Sequence, residues 1–145
     1  MIRFTIPIVP KAQARTKAGI NKYTGRVQVF APKAQRRNEN DLIALMSPYA
    51  PEKPLQGPLK LSVQVGIGIP KPWSRKKKAE ALAGRTWPTS RPDLDKYLKQ
   101  ICDRMNTLRF WSDDSNVVSS TATKSYSEKP CWQVAIDYLK KSTEG

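Results

Sequence analysis

Leu59-Lys60-Leu61-Ser62-Val63-Gln64-Val65-Gly66-Ile67-Gly68-Ile69 alternates apolar and non-apolar residues without a break. A period of two places successive side chains on opposite faces, so this stretch predicts a strand with one face in the core. The same alternation recurs at both ends of the chain. Ile2, Phe4, Ile6 and Ile8 alternate with Arg3, Thr5 and Pro7, and the proline predicts a sheet edge or a strand end. Trp132, Val134, Ile136 and Tyr138 alternate after a turn at Ser127-Glu128-Lys129-Pro130. Val27–Phe30 and the Val/Thr/Ser-rich run 116–125 read as two more strands. Three helices lie between them. One opens at Pro32, carries Leu42, Ile43, Leu45, Met46 and Tyr49 near its end, and is stopped by Pro48, Pro51 and Pro54. A short basic one has Ser74 as N-cap and ends at Gly84. The central one starts near Asp93 or Leu94 and repeats Leu94, Tyr97/Leu98, Ile101/Cys102, Met105 and Leu108 at helical spacing. Residues 10–26 read as a basic loop or hairpin with a turn at Tyr23–Arg26. The order β-β-α-β-α-α-β-β predicts an α+β fold, a single domain with a mixed or mostly antiparallel sheet packed with helices. It spans residues 1–139, with a frayed tail at 140–145.

Composition limits the chemistry. The 145 residues are enough for one core. With 26 Lys plus Arg against 12 Asp plus Glu, the formal charge is +14. Such a surface attracts a polyanion, and nucleic acid is the expected partner, although purely architectural proteins are as basic. No apolar run approaches the ~20 residues that cross a bilayer, so no membrane partner is expected. The first residues carry no secretory h-region, which predicts mature, intracellular sequence. There is no histidine, which excludes His-based triads, bases and metal ligands. Cys102 and Cys131 form neither a disulfide framework nor a zinc spacing. Cys102 falls in the apolar stripe of the central helix and reads as a small buried hydrophobe.

Against this basic background, five of the twelve acids fall in residues 93–114. Asp93 and Asp95 stand two apart at a loop-to-helix junction, where extended backbone points both to one side. Asp95, Lys99 and Asp103 follow at i, i+4 and i+8 on one helix face. Phe110-Trp111-Ser112-Asp113-Asp114 then turns the chain back, and a strand packed on the helix brings Asp113 or Asp114 toward Asp93 and Asp95. Carboxylates gathered at one point repel each other unless a cation lies between them. Mg²⁺ suits such oxygen ligands, with Mn²⁺ not distinguished from it. There it polarises a phosphate and activates water. Lys99, one turn after Asp95, is placed to offset charge on the phosphate or to position the water. Each residue also has an ordinary reading. Asp93 suits an N-cap, Asp95–Lys99 and Lys99–Asp103 suit surface ion pairs of ~0.3–0.5 kcal/mol, and Asp113-Asp114 suits a turn.

Asp93-Leu94-Asp95, the lysine four residues later, and Asp113-Asp114 before a Val-rich strand resemble the RusA-type Holliday junction resolvases. The likeness extends to the opening strand, the Lys11–Arg15 segment and Arg26–Pro32. It implies a small, basic, homodimeric, Mg²⁺-dependent endonuclease of phages and prophages, working on branched DNA in the cytoplasm of a bacterium or phage-infected cell. Carried over, Asp93, Asp95 and Asp114 are the metal ligands, and Lys99 is the catalytic lysine. One position departs: where the family usually has Asn after Asp-Leu-Asp, this chain has Lys96, an extra cation beside the pocket. Two other readings stay open, a non-catalytic DNA- or RNA-binding protein and a nuclease for flaps, forks or single strands.

Candidate phosphate contacts are Arg15, Arg36, Arg37, Arg75, Lys76, Lys77, Lys78, Arg85, Arg91 and Lys96. Trp73 and Trp87 flank the basic helix; either can stack on unpaired bases, although core or interface packing is the ordinary expectation. Trp111 and Trp132 read as core. A dimer matches the two-fold symmetry of a four-way junction.

Overall fold

The computed structural model describes residues 1–13, 17–20, 25–30 and 33–139. Six strands and three helices run in the order β1 (Ile2–Ile6), β2 (Lys17–Ile20), β3 (Val27–Phe30), α1 (Lys33–Met46), β4 (Leu59–Gly68), α2 (Arg75–Leu82), α3 (Leu94–Thr107), β5 (Val117–Ser127) and β6 (Cys131–Tyr138). Short 3-10 turns follow α1 at Ser47–Tyr49 and precede β5 at Asp114–Asn116. The expected turn at Tyr23-Thr24, the helix start at Pro32 and the tail 140–145 lie outside the described residues.

The alternating stretch becomes an inner strand. The main sheet has the order β1-β6-β4-β5. β4 pairs antiparallel with β6 and parallel with β5, and β1 pairs antiparallel with β6. The sheet is therefore mixed. The parallel pair is joined by the long crossover through α2 and α3, as parallel strands require. β2 and β3 form a separate antiparallel ladder, so the basic segment read as a loop or hairpin contains a strand of its own. β1 is an edge strand that stops before Pro7, whose missing N–H does no harm there.

Register aligns the apolar residues in rows across the sheet. Ile2, Ile136 and Leu61 form one, Phe4, Val134 and Val63 the next, and Ile6, Trp132 and Val65 a third. All but Ile2 are buried. Leu42 and Met46 of α1 and Tyr97, Ile101 and Met105 of α3 complete this core. Burial of one such side chain contributes about 1.5–3 kcal/mol. Tyr97 meets Trp132 edge-on, with ring centroids 5.8 Å apart.

Two features depart from the stripe read in the sequence. Leu45 and Tyr49 are exposed, although Tyr49 stacks on Phe4 at 5.0 Å. The buried face of α1 instead continues backward through Gln35 and Asn38. Gln35 donates to Glu39 at 2.8 Å and to the fully buried Gln100 of α3 at 3.4 Å, and Arg104 pairs with Glu39 at 2.9 Å. The α1–α3 contact is thus apolar at one end and polar at the other.

Candidate nuclease site

The acidic residues are carried by the two ends of α3. At its start, the loop 85–92 delivers the chain to Asp93, which occupies the N-cap with extended backbone (φ −68°, ψ 149°). The Asp93 carbonyl accepts the Lys96 N–H at 3.1 Å, but the Asp93 carboxylate accepts no capping bond. Asp95 lies in the first turn. The helix dipole favours negative charge at this end, so two carboxylates are tolerated there. Asp93, Asp95 and Lys99 are exposed, and Lys96 is half-buried. Gln13 donates its N–H to the Lys96 carbonyl at 3.2 Å, tying the segment after β1 to this end of the helix.

The other end of α3 is closed by a Schellman motif. Phe110 N–H bonds to the Met105 carbonyl and Arg109 N–H to the Asn106 carbonyl, both at 3.1 Å. Arg109 sits in the left-handed region at φ 57°, where glycine is the usual occupant. Burial of Phe110 and Met105, the hydrophobic contact of this motif, stabilises the unusual choice. Trp111 follows, fully buried; its indole N–H donates to Asn106 at 3.1 Å and its backbone bridges Leu55. This anchor sets where the Asp113-Asp114 turn begins.

The two acids of that turn have different fates. Asp113 caps the 3-10 turn: its carboxylate accepts the Ser115 N–H at 3.0 Å and the Ser115 hydroxyl, and its own N–H donates to Asn116 Oδ1 at 3.1 Å. The Ser115 hydroxyl and amide bonds hold its carboxyl below the usual carboxylate range. Asp114 makes no such bond. Its charge is felt on α3, where Cys102 is pushed up to about 11, first by burial and then by the charges of Asp103 and Asp114. Cys102 and Asp103 follow Lys99 at i+3 and i+4, so all three share a face with Asp95.

Asp114 therefore lies near enough to α3 for its charge to reach Cys102. Among the described residues, no three His, Cys, Asp or Glu side chains converge on one metal-sized point. Among the described residues, Asp93, Asp95 and Asp114, unlike Asp113, nevertheless have no ion-pair or side-chain hydrogen-bond partner. The described ion pairs are Met1–Asp137, Arg3–Asp137 and Arg104–Glu39, and the pairs Asp95–Lys99 and Lys99–Asp103 are not among them. Exposed oxygen donors without internal partners suit a hard cation, which takes one or two carboxylates and fills its shell with water and phosphate.

Basic groups are exposed on α1, on α2 and in the loop before Asp93. Arg36 and Arg37 are exposed on α1 and, with Lys33, Asn40 and Asp41, line an open groove of about 500 Å³. On α2, Ser74 accepts the Lys77 N–H at 3.2 Å as the expected cap, and Gly84 ends the helix with positive φ. Arg75, Lys76 and Lys77 are exposed and Lys78 is half-buried. The Lys77 ammonium lies 4.0 Å from the Trp73 ring centroid, and Trp73 meets Tyr126 edge-on, so this lysine also has a packing role. Arg85 and Arg91 are exposed in the loop before Asp93. Arg15 lies outside the described residues. Trp87 is 52% exposed rather than packed, whereas Trp111 and Trp132 are core residues. One contact had no signal in the sequence: the Lys124 ammonium donates to the carbonyls of Ser90 and Pro92, both at 3.0 Å. No helix of the described residues is long and apolar enough to cross a membrane.

Known proteins resemble the chain along nearly its whole length. The family model for endodeoxyribonuclease RusA matches residues 7–137. The uncharacterised protein YqaN of Bacillus subtilis (strain 168) is 35% identical over 137 residues, covering 93% of this chain and 94% of that protein. The crossover junction endodeoxyribonuclease rusA of Lactococcus phage r1t is 34% identical over 138 residues, covering 92% and 93%. With the helix-borne acids on a basic surface, these matches show that the chain belongs to the RusA family of endodeoxyribonucleases.

Proposed function

We propose that this protein resolves Holliday junctions, cutting four-way branched DNA by paired, symmetric phosphodiester hydrolysis as a Mg²⁺-dependent homodimer. The observation that carries this reading is that Asp93, Asp95 and Asp114 have no ion-pair or side-chain hydrogen-bond partner among the described residues, in a chain of the opposite net sign. Like charges beside a polyanion's path cost binding energy unless a cation joins them. In this reading Asp93, Asp95 and Asp114 hold Mg²⁺ or Mn²⁺. When bound, the metal supplies Lewis-acid charge at the scissile phosphate and lowers the pKa of a water. Lys99, exposed one turn after Asp95, offsets charge that develops on the phosphate.

The flanking cations bind backbone phosphates. Arg36, Arg37, Arg75, Lys76, Lys77, Lys78, Arg85, Arg91, Lys96 and Arg15 form this set. Affinity for junctions then falls steeply with salt. Exposed Trp87 is placed to stack on bases unpaired at a branch point. Two copies related by a two-fold axis present two sites to a two-fold junction. Such an enzyme acts in the cytoplasm, where the DNA is.

The test is a nicking assay on a labelled four-way junction and on linear duplex of the same sequence, with Mg²⁺ or with EDTA. Paired cuts in the junction only, and only with metal, are expected. Equal cutting of flaps and forks would make the protein a broader nuclease, and tight junction binding with no cuts would overturn the resolvase reading.

A further inference from the structure

We propose that Lys124 is a positioning residue for the acidic end of α3, holding the main chain that carries Asp93 in the place where a metal ion and phosphate are bound; this rests on the metal-site reading above. The argument starts from register. Parallel pairing sets Lys124 of β5 beside Val65 of β4, which in turn lies beside Trp132 of β6 and then Ile6 of β1. Laterally paired residues share a face, and the other three members of this row are 0% exposed. A lysine at the end of a core row is out of pattern. Its neighbour two residues earlier, Ala122, is paired with buried Val63 and conforms.

The charge is not answered by an acid. None of the described ion pairs includes Lys124. The ammonium instead donates to two main-chain carbonyls, those of Ser90 and Pro92. These carbonyls belong to the residues just before Asp93, thirty-odd positions away in the chain. Charged donors make the stronger hydrogen bonds, and two to one short segment fix both its position and its orientation.

The restraint matters because Asp93 has little of its own. Its carboxylate makes no capping bond. After Asp93, the backbone is held by the Lys96 N–H and, through Lys96, by Gln13. Over Ser90–Pro92, the described hydrogen bonds from another element are those of Lys124. Ligand orientation by outer partners changes metal affinity or activity by about 10–100-fold. Lys124 is an outer partner that acts through the backbone.

The experiment compares wild type, Lys124→Met, Lys124→Arg and Asp93→Asn. Mn²⁺ binding is read by the EPR signal of free Mn²⁺, independently of cleavage. Junction affinity is read by gel shift in EDTA, and nicking is titrated with Mg²⁺. Lys124→Met is expected to need about ten-fold more Mn²⁺ for half-saturation and correspondingly more Mg²⁺ for half-maximal nicking. Its metal-free junction affinity should stay at the wild-type value. Lys124→Arg, which keeps charged donors, should recover most of the loss. A Lys124→Met protein with wild-type Mn²⁺ and Mg²⁺ titrations would overturn the inference. So would a variant whose Mn²⁺ binding is intact while junction affinity alone falls. If Lys124→Met does not fold by circular dichroism, Lys124→Gln, with a shorter neutral donor, is held to the same outcomes. Asp93→Asn separates the two levels: wild-type Mn²⁺ binding and full nicking in that variant would overturn the metal-site reading itself.

Discussion

Asp93 and Asp113 occupy the same position in two different turns, and only one of them uses it. Both are N-caps with extended backbone, Asp93 of α3 and Asp113 of the 3-10 turn before β5. Asp113 spends its carboxylate on the Ser115 amide and hydroxyl and completes a capping box with Asn116. Asp93 heads a fourteen-residue helix and caps nothing with its side chain. A cap is worth about 1 kcal/mol to a helix, so an unused one is stability forgone. The local rule is broken at Asp93 and obeyed at Asp113, and broken rules concentrate where a protein does chemistry. The same contrast separates the neighbours Asp113 and Asp114.

The largest effects should come from breaking this contrast at the unused acids. Asp93→Asn, Asp95→Asn and Asp114→Asn should each reduce junction cleavage by more than the ~10–100-fold typical of outer-shell changes. Their melting temperatures should barely move, because surface substitutions away from structural bonds stay within about ±0.5 kcal/mol. Quantified nicking and thermal melts on the same preparations check both halves. A variant that loses stability rather than cleavage would place its carboxylate with Asp113, among the structural acids.

Much of this was legible in the sequence because it is local. β4, β1 and β6 announce themselves by alternation, α3 by its stripe, and α2 by Ser74 and Gly84. The acids stood out because the surrounding composition is basic. What was not legible depends on pairing across the fold. Its Val/Thr/Ser-rich composition marks β5 as a strand but not as the parallel neighbour of β4, since parallel pairing runs through two intervening helices. The buried face of α1 was read only near its end; at its start buried Gln35 reaches Glu39 and Gln100 by hydrogen bonds, where Leu42 and Met46 further on pack into the core. Lys124 reads as one more cation until its partners, two carbonyls in another loop, are seen. The acids were expected to meet at one point; among the described residues no three His, Cys, Asp or Glu side chains converge on one metal-sized point.

A smaller effect tests the acid that is used. Asp113→Ala should lower the melting temperature near neutral pH while leaving metal-dependent cleavage measurable. The sign of its pH dependence follows from the bonds to Ser115, which lower the folded-state pKa. A depressed carboxyl contributes stability above its unfolded pKa of about 3.9 and loses it as pH falls through the folded value. The gap between wild type and variant should therefore be constant from neutral pH down to about pH 5 and close below about pH 4. Thermal melts across that range check it. A gap that persists in acid would mean that Asp113 stabilises the turn without its charge.

The smallest effect sharpens the comparison between Asp113 and Asp114 by using Cys102 as a reporter. Its thiol is pushed up to about 11, mainly by burial, with smaller contributions from Asp103 and Asp114. Asp113 is not among these causes. In a Cys131→Ser background, Cys102 is the single thiol, and its ionisation can be followed by the pH dependence of iodoacetamide alkylation. Asp114→Asn removes one negative charge, so the thiolate becomes easier to form and the pKa falls below about 11. Burial still keeps it above the ordinary thiol value. Asp113→Asn should leave the profile unchanged. Equal shifts in both variants would mean that the two acids lie equally near α3. No shift with Asp114→Asn would remove Asp114 from that face of the helix, and with it the third of the three proposed ligands.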